Sequence, residues 1–480
     1  MAGRSEAVAL RRIPGRVEPR SEQTVIKAGS VARAPRKLAE PETAVVADLT
    51  HEGEGVVRAA DTGGKTVFIA GALPGERVTF RRRSFHKSHD EAELLEIVEA
   101  SPDRVTPRCA HFGVCGGCAL QHLAPAAQIA AKQRELAANL ERIGNVAPAA
   151  WLPPLLGPHW NYRRRARLSS RYVTKKGRSL VGFREKQGKY VADVQRCEVV
   201  AEPVGALVGT LAVLLTSMER RESIPQIEVA LSDGETVLVL RVLDPLPESD
   251  LDKLRAFERE QGLRLLMQPG GLHTIAPLTP GPVDLHYRLD AFDVRLDFGP
   301  SDFVQVNAAI NQAMVARAIE LLDVRPTDRV LDLYCGLGNF TLPLARRAAA
   351  VVGIEGDAGL IERARGNARR NGIENAEFHV GDLSVAPDPT LSWMRGVYDA
   401  VLLDPPRVGA REVLSAVAHI APRRVVYISC HTGSLARDLG VLTHELGFRL
   451  TAAGVLDMFP HTTHVESVAV LERAPTRGGS

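Results

Sequence analysis

Hydrophobic positions along this chain follow three successive rhythms. Between Thr43 and Ala100 they come in short alternating runs, AVVADLT, GEGVVRA, KTVFIAG, ERVTFRRR and AELLEIVEA, parted by turn signals such as Thr62-Gly63-Gly64. Alternation with a period of two predicts strands, and short strands at this spacing predict a small antiparallel barrel of the oligonucleotide-binding type. From Gln128 to Ile143 the period lengthens, and Ile129, Leu136, Leu140 and Ile143 fall on one face of a predicted amphipathic helix. A basic hairpin from Arg167 to Val194 follows. Helix, strand (IEVALS), strand (TVLVLRVL) and helix (Leu251–Gln261) then read as an α+β module.

The third rhythm starts at FVQVN (Phe303–Asn307) and a helix over Ala308–Leu322. Next comes Val330–Phe340, VLDLYCGLGNF: a β-branched apolar run, an acid and two glycines, with a helix predicted over Thr341–Ala350. Strand, tight loop and helix in that order suit a nucleotide-like cofactor held at the carboxyl ends of parallel strands. VVGIE (Val351–Glu355) is a second strand, ending in an acid placed to take the ribose hydroxyls of an adenosine. Three further strands end in polar residues: HVGDL at Asp382, YDAVLLDPPR at Asp404 and RRVVYISC at Cys430. Repeated polar residues at strand ends predict a crevice. The expected fold is multidomain: a disordered basic tail over 1–42, the barrel over 43–101, a cysteine-bearing segment with the central α+β domain over 102–290, and a Rossmann-like α/β domain over 291–480.

Composition adds limits. A chain of 480 residues is too long for one core, and 45% hydrophobic with 24% charged residues is ordinary for a soluble globular protein. No apolar run approaches a membrane span, and the arginine-studded N-terminus lacks a secretory core. A cytoplasmic protein, with no membrane role, is expected. The net charge of +3 is too small to argue for nucleic acid by itself, so local distribution carries that case. Arg81, Arg82, Arg83, His86, Lys87 and His89 form one basic run on the barrel. Arg163, Arg164, Arg165, Arg167, Arg171, Lys175, Lys176 and Arg178, interleaved with Trp160, Tyr162 and Tyr172, form a second that suits phosphates and splayed bases of folded RNA.

Six cysteines in so long a chain do not make a disulfide framework. Cys109, Cys115 and Cys118, in PRCAHFGVCGGC, point to a thiolate-bound metal centre with Cys197 as candidate fourth ligand. Zinc and an iron–sulfur cluster both accept four thiolates, and the spacing does not separate them. Cys430, at a strand end before a helix, is a candidate nucleophile whose thiolate the helix N-terminus can stabilise. Cys335, inside the glycine loop, reads as a packing residue. In MFPHTTHVESV, Glu466 is a candidate base entering the same crevice.

The combination of FVQVN, DLYCGLGNFTLPLA, DPPR, SC and HVESV resembles the S-adenosylmethionine-dependent RNA uracil-C5 methyltransferases. The barrel resembles a TRAM domain, and PRCAHFGVCGGCALQHL resembles the cluster-binding segment of the branch that methylates 23S ribosomal RNA. The likeness spans Thr43 to Arg473. It implies a 4Fe–4S cluster on Cys109, Cys115, Cys118 and Cys197, and a cofactor pocket at Gln305, Tyr334, Gly336, Asn339, Glu355, Asp382 and Asp404. It implies Cys430 as nucleophile and Glu466 as base, with Asp404 also at the reacting ring, in an enzyme acting on RNA and not DNA as a monomer. A phenylalanine often stands in the family where this chain has Tyr334. Four readings compete with it: a transfer-RNA enzyme of the same family, an exocyclic-amine methyltransferase, an RNA-binding assembly factor with a vestigial pocket, and a cytosine-C5 enzyme, whose nucleophile usually follows a proline in the loop where this chain has Asp404-Pro405-Pro406. The second usually carries an aromatic where Arg407 follows Asp404-Pro405-Pro406 and needs no cysteine; the third does not explain a complete set of glycines, thiol and acids.

Overall fold

A computed structural model describes residues 39–186 and 188–474. Most of the tail read over 1–42 lies outside the described residues.

Six strands make up the first sheet: β1 (Glu42–Val45), β2 (Asp48–Leu49), β3 (Glu54–Val57), β4 (Thr66–Ala70), β5 (Arg77–Phe85) and β6 (His89–Glu99). β1 pairs with β5 at one edge of the sheet and β2, its continuation, with β3 at the other, so one bent segment joins both edges around a core of Val57, Val67, Ile69, Val78 and Phe80. One pair departs from the antiparallel expectation. β4 and β6 run parallel, because β5 crosses between them in sequence and occupies the far side of β6.

The predicted helix over 128–143 is α1 (Pro125–Asn139), which widens into a π-turn from Leu140 to Gly144. The wider turn rotates Ile143 out of the apolar stripe, and it is 52% exposed. Gln128 and Lys132 share the buried face of α1 with Ile129 and Leu136. Two residues further along the chain, β7 (Ala150–Trp151), pair parallel with Ala452 and Ala453 of the last sheet. The segment expected to belong to the central module thus packs on the C-terminal domain, burying Ile129, Leu136 and Leu140 there.

The central sheet has the order β13-β12-β11-β10-β8-β9. In chain order its elements are β8 (Arg165–Val173), β9 (Arg178–Gly182), α2 (Val204–Ser217), β10 (Gln226–Leu231), β11 (Thr236–Arg241), α3 (Glu248–Gln261), β12 (Arg264–Gln268) and β13 (Ala276–Pro277). α2 and α3 cover it through Leu207, Leu211, Leu215, Leu254 and Phe257. A hairpin, β14 (His286–Leu289) and β15 (Val294–Asp297), leads to the last domain.

There the order of elements is α4 (Ala308–Leu322), β16 (Arg329–Leu333), α5 (Thr341–Ala345), β17 (Ala350–Glu355), α6 (Ala358–Arg370), β18 (Ala376–Val380), β19 (Ala400–Leu403), α7 (Leu414–Ile420), β20 (Arg424–Ser429), α8 (Thr432–His444), β21 (Phe448–Leu456) and β22 (Glu466–Arg473). The helix expected to run to Ala350 stops at Ala345, and β17 takes up Ala350 itself. Eight strands form one sheet, β18-β17-β16-β19-β20-β22-β21-β7, parallel from β18 to β20. Alternate residues of each strand serve opposite faces: Val330, Val351, Leu402 and Val426 meet α4 and α6, whereas Leu331, Val352, Val401 and Val425 meet α1, α7 and α8. Both faces are covered, which is why these strands read as continuous apolar runs.

Candidate active site and thiol centre

Parallel pairing sets strand ends side by side. Leu333 of β16 stands opposite Ile354 of β17 and Leu403 of β19, and Leu403 opposite Tyr427 of β20. Tyr334, Glu355, Asp404 and Cys430 therefore leave the sheet along one edge. β22 returns antiparallel beside β20 with Ser467 opposite Ser429, and one further step of that register sets Glu466 against Cys430. Ser467 Oγ donates to the Ser429 carbonyl at 3.1 Å, fastening the two strand ends.

The loop after β16 winds through the left-handed region at Tyr334 (φ 66°), Gly336 (φ 55°) and Gly338 (φ 99°). A bulky residue held there marks a strained turn of the kind found at ligand sites. A Cβ built on Gly336 would meet nothing within 4 Å, so the loop is open on that side. Glu355 faces it: one oxygen accepts the Gly336 N–H at 3.2 Å and the other the Asp357 N–H at 3.1 Å. Carboxylate oxygens keep spare lone pairs for vicinal hydroxyls, so the arrangement fits an adenosine-bearing cofactor. Tyr334 donates its hydroxyl to the Leu383 carbonyl at 3.2 Å, tying the loop to the turn of Asp382. Asp382 is exposed, and hydrogen bonds from Ser384 hold its carboxyl below the usual range. Gln305 lies half-buried just before α4.

Asn339 is anchored away from solvent. Its Oδ1 accepts from Tyr287 at 2.9 Å and from Asn311 at 3.0 Å, and its Nδ2 donates back to Asn311 at 3.0 Å. Neither Asn311 nor Tyr287 was expected at the site. Asn311 was legible as a polar residue one turn beyond the helix cap Asn307, on a face otherwise apolar. Beneath the loop Asp332 is fully buried, its one hydrogen bond coming from Thr341, and burial raises its carboxyl to about 8. An acid inside an apolar strand was the signal for it. Cys335 is buried as expected; a Cβ on Gly353 would stand 2.9 Å from its sulfur, which accounts for that glycine.

At the thiol the structure departs from expectation. α8 is capped by His431, whose ring accepts the Ser434 N–H at 3.1 Å, and the Cys430 thiol is pushed up, not down, by burial first and then by the charges of Glu466 and Asp404. Arg407 alone among the neighbouring side chains opposes them. Its guanidinium lies 3.2 Å from His464 Nδ1. Burial raises Asp404 to about 7 and holds Glu466, 3% exposed, well above the carboxylate range, with the charge of Asp404 adding to it. Two acids and a thiol in so little water suit proton transfer near neutral pH.

The segment before β22 is held from outside the domain. Lys132 of α1 donates to Asp457 at 2.8 Å and to the Phe459 carbonyl at 2.9 Å, with both charged side chains buried. Removing one partner of such a pair costs about 3–5 kcal/mol. Lys132→Met is accordingly expected to lower the melting temperature measurably, and a melt unchanged from wild type would show the pair to be idle.

Cys109, Cys115, Cys118 and Cys197 line one cavity, walled by Phe112, Phe183, Val194 and Val199. All are free thiols. Burial, with neighbouring thiols adding, raises Cys115 to about 11 and Cys118 to about 12, so a cation among them is what would bring them to thiolates. The four residues expected as ligands are thus brought together. His111 is engaged elsewhere, accepting the Gln195 N–H at 3.1 Å.

The basic hairpin is less available than its sequence suggested. Arg164 pairs with Asp233, Arg167 with Glu228, and Lys176 and Arg178 with Asp193. Tyr162 is buried with its hydroxyl donating to the Pro460 carbonyl at 3.0 Å, and Trp160 packs against His461 at 4.0 Å between ring centres. These aromatics pack the protein instead of offering faces to bases. On the first sheet, Arg82 is bound by Glu42 and Asp90, and Arg83 by Glu93.

Fold and site define an α/β domain that binds an adenosine-type cofactor beside a cysteine and a glutamate. The family described as tRNA (uracil-5-)-methyltransferase matches residues 126–474. A curated relative from Xanthomonas euvesicatoria, the 23S rRNA (uracil(1939)-C(5))-methyltransferase RlmD, is 52% identical over 433 residues, 90% of this chain and 97% of the relative. The protein of that name from Stenotrophomonas maltophilia is 50% identical over 428 residues, 89% of this chain and 96% of its own. In fold, the chain is similar to the Pyrococcus abyssi tRNA (uracil-54, C5)-methyltransferase crystallised with S-adenosyl-L-homocysteine, with a TM-score of 0.68 at 24% identity, covering 90% of this chain and all of the other. The chain belongs to the tRNA (uracil-5-)-methyltransferase family.

Proposed function

We propose that this protein methylates carbon 5 of one uridine in 23S ribosomal RNA, using S-adenosylmethionine, and that the uridine corresponds to the 1939 for which its relatives are named. The register that sets Glu466 against Cys430, beside the open glycine loop, is the observation that carries the reading. Carbon 5 of uracil is too weak a nucleophile to take a methyl group unaided. When bound, S-adenosylmethionine supplies that group as an electrophile. Cys430 adds to C6, which makes C5 nucleophilic. Once C5 is methylated, Glu466 takes the C5 proton, and the electrons of that bond restore the C5–C6 double bond as the Cys430 thiolate leaves. Asp404 and Arg407 flank the thiol and hold the flipped ring.

Glu355 and the backbone of Gly336 hold the ribose end of the cofactor, while Gln305, Tyr334, Asn339, Asp382 and Asp404 shape the rest of its pocket. Cofactor loop, thiol and base all come from one chain, so a monomer suffices. The six-stranded sheet serves as a TRAM domain that brings RNA to the crevice. No helix among the described residues is long and apolar enough to cross a membrane.

Recombinant protein, methyl-labelled cofactor and unmodified ribosomal and transfer RNA give the test. Label at C5 of a single 23S uridine is expected. Label confined to transfer RNA would move the substrate, and label on an exocyclic amine would overturn the chemistry.

Because Cys430 reacts as the thiolate and its pKa is raised, adduct formation is expected to rise about tenfold per pH unit across the neutral range. Arg407→Met removes the one opposing cation, so its profile should move toward alkaline pH. Stopped-time trapping on 5-fluorouridine RNA at several pH values measures both, and a flat profile would argue against the thiolate as attacking species.

The four cysteines hold a 4Fe–4S cluster in this reading. Four free cysteines gathered in one apolar-walled cavity support a thiolate-bound centre, and the likeness of PRCAHFGVCGGCALQHL to a cluster-binding segment favours the cluster over zinc. Anaerobically purified protein should carry iron and acid-labile sulfide, both lost in Cys118→Ser; zinc without sulfide would refute the assignment.

A further inference from the structure

The turn that precedes Glu466 is held by three other parts of the chain, and they converge on His461. Its carbonyl accepts the N–H groups of Ala119 at 2.9 Å and Leu120 at 3.0 Å, the two residues directly after Cys118. Its own N–H donates to Gln128 Oε1 of α1 at 2.9 Å, and its Nδ1 lies 3.2 Å from Gln128 Nε2. That same Nε2 donates to the carbonyls of Leu120 and Leu123, at 3.0 and 2.8 Å, so one amide ties the cysteine loop, α1 and His461 together. The ring packs against Trp160, tilted by 31°. His461 is 2% exposed and holds a left-handed backbone (φ 66°). A non-glycine residue strained in this way persists only where its surroundings over-determine it, and such residues gather at working sites.

From His461 the turn runs stiffly to the crevice. Thr462 donates its hydroxyl to the Phe459 carbonyl at 3.0 Å, the His464 N–H donates to Thr462 Oγ1 at 3.3 Å, and Val465 is buried directly before Glu466. His464 meets Arg407 beside Cys430.

We infer that His461 is a positioning residue, through which Gln128 and the cysteine loop hold the segment that delivers Glu466 to the C5 proton. This inference rests on the roles of Cys430 and Glu466 proposed above. It sets apart two steps of the reaction: addition of Cys430 to C6 needs β20 and the thiol, whereas proton removal needs the His461 turn.

Gln128→Leu keeps the volume of the side chain and removes the amide. On uridine RNA labelled with tritium at C5, this variant is expected to release tritium about 10- to 100-fold more slowly and to accumulate the covalent protein–RNA species, as a base displaced by a fraction of an ångström would. Its rate of adduct formation on 5-fluorouridine RNA, which stops before proton removal, should stay within about twofold of wild type. His461→Asn, which tolerates the left-handed backbone but lacks the packed ring, should show the same asymmetry and covers the case in which Gln128→Leu fails to fold. A parallel fall in both rates, or no fall in either, overturns the positioning role. A wild-type protein that forms no adduct at all refutes the Cys430 and Glu466 reading instead, so the two failures are told apart.

Discussion

Cys430→Ala is expected to lower methylation by at least about 10⁴-fold and to form no denaturation-resistant adduct with 5-fluorouridine RNA, because it removes the nucleophile proposed to add to C6. Cofactor binding should be unaffected, since Cys430 leaves β20 while the cofactor loop leaves β16. The size of the effect follows from the chemistry: without a covalent bond at C6, C5 keeps the weak nucleophilicity of a neutral uracil, and binding alone cannot replace an electron pair. Cys335 gives the control. It is buried under the glycine loop against Gly353, and Cys335→Ala should retain methylation. Adduct or methylated product from Cys430→Ala would remove the nucleophile assignment.

Glu466→Gln is expected to stop the reaction one step later. The thiol can still add and C5 can still be methylated, but the C5 proton has no acceptor, so the protein should be recovered covalently joined to methylated RNA after one turnover. Steady-state turnover should fall about 10²- to 10⁴-fold, the range that a placed general base contributes. The amide is nearly isosteric, and it replaces a carboxyl that burial already holds well above its usual range, so the fold should tolerate it. A Glu466→Gln protein that releases product at the wild-type rate would show that another group takes the proton.

Residue chemistry made much of the candidate site legible in the primary structure. Polar residues closing apolar β-branched runs, Glu355, Asp404 and Cys430, marked strand ends, because a buried parallel strand has no reason to carry an acid or thiol except where it leaves the sheet. The glycines of the loop were legible for a similar reason: φ values of 55° and 99° at Gly336 and Gly338 suit glycine above other residues. Tyr334, at 66°, does not obey that rule, and no local pattern announced it.

What stayed hidden was long-range pairing. Lys132 and Asp457 are more than three hundred positions apart, as are Gln128 and His461, and each looks like an ordinary polar residue until the fold buries it against its partner. The basic run around Arg167 misled in the opposite direction. Its charges looked free in a linear reading, and only the packed structure supplies the acids Asp193, Glu228 and Asp233 that occupy four of the eight, Arg164, Arg167, Lys176 and Arg178.

By itself, then, the sequence determined which residue types could bind, attack and accept a proton, and in which order along the chain their strands come, since these depend on local composition and period. The tertiary structure decided which of them meet. Strand register set Glu466 against Cys430, burial raised the thiol that a helix end had been expected to lower, and the turn at His461 joined the cysteine loop to the base. Register and burial depend on partners remote in sequence, and the energy of a buried contact exists only once both sides are in place.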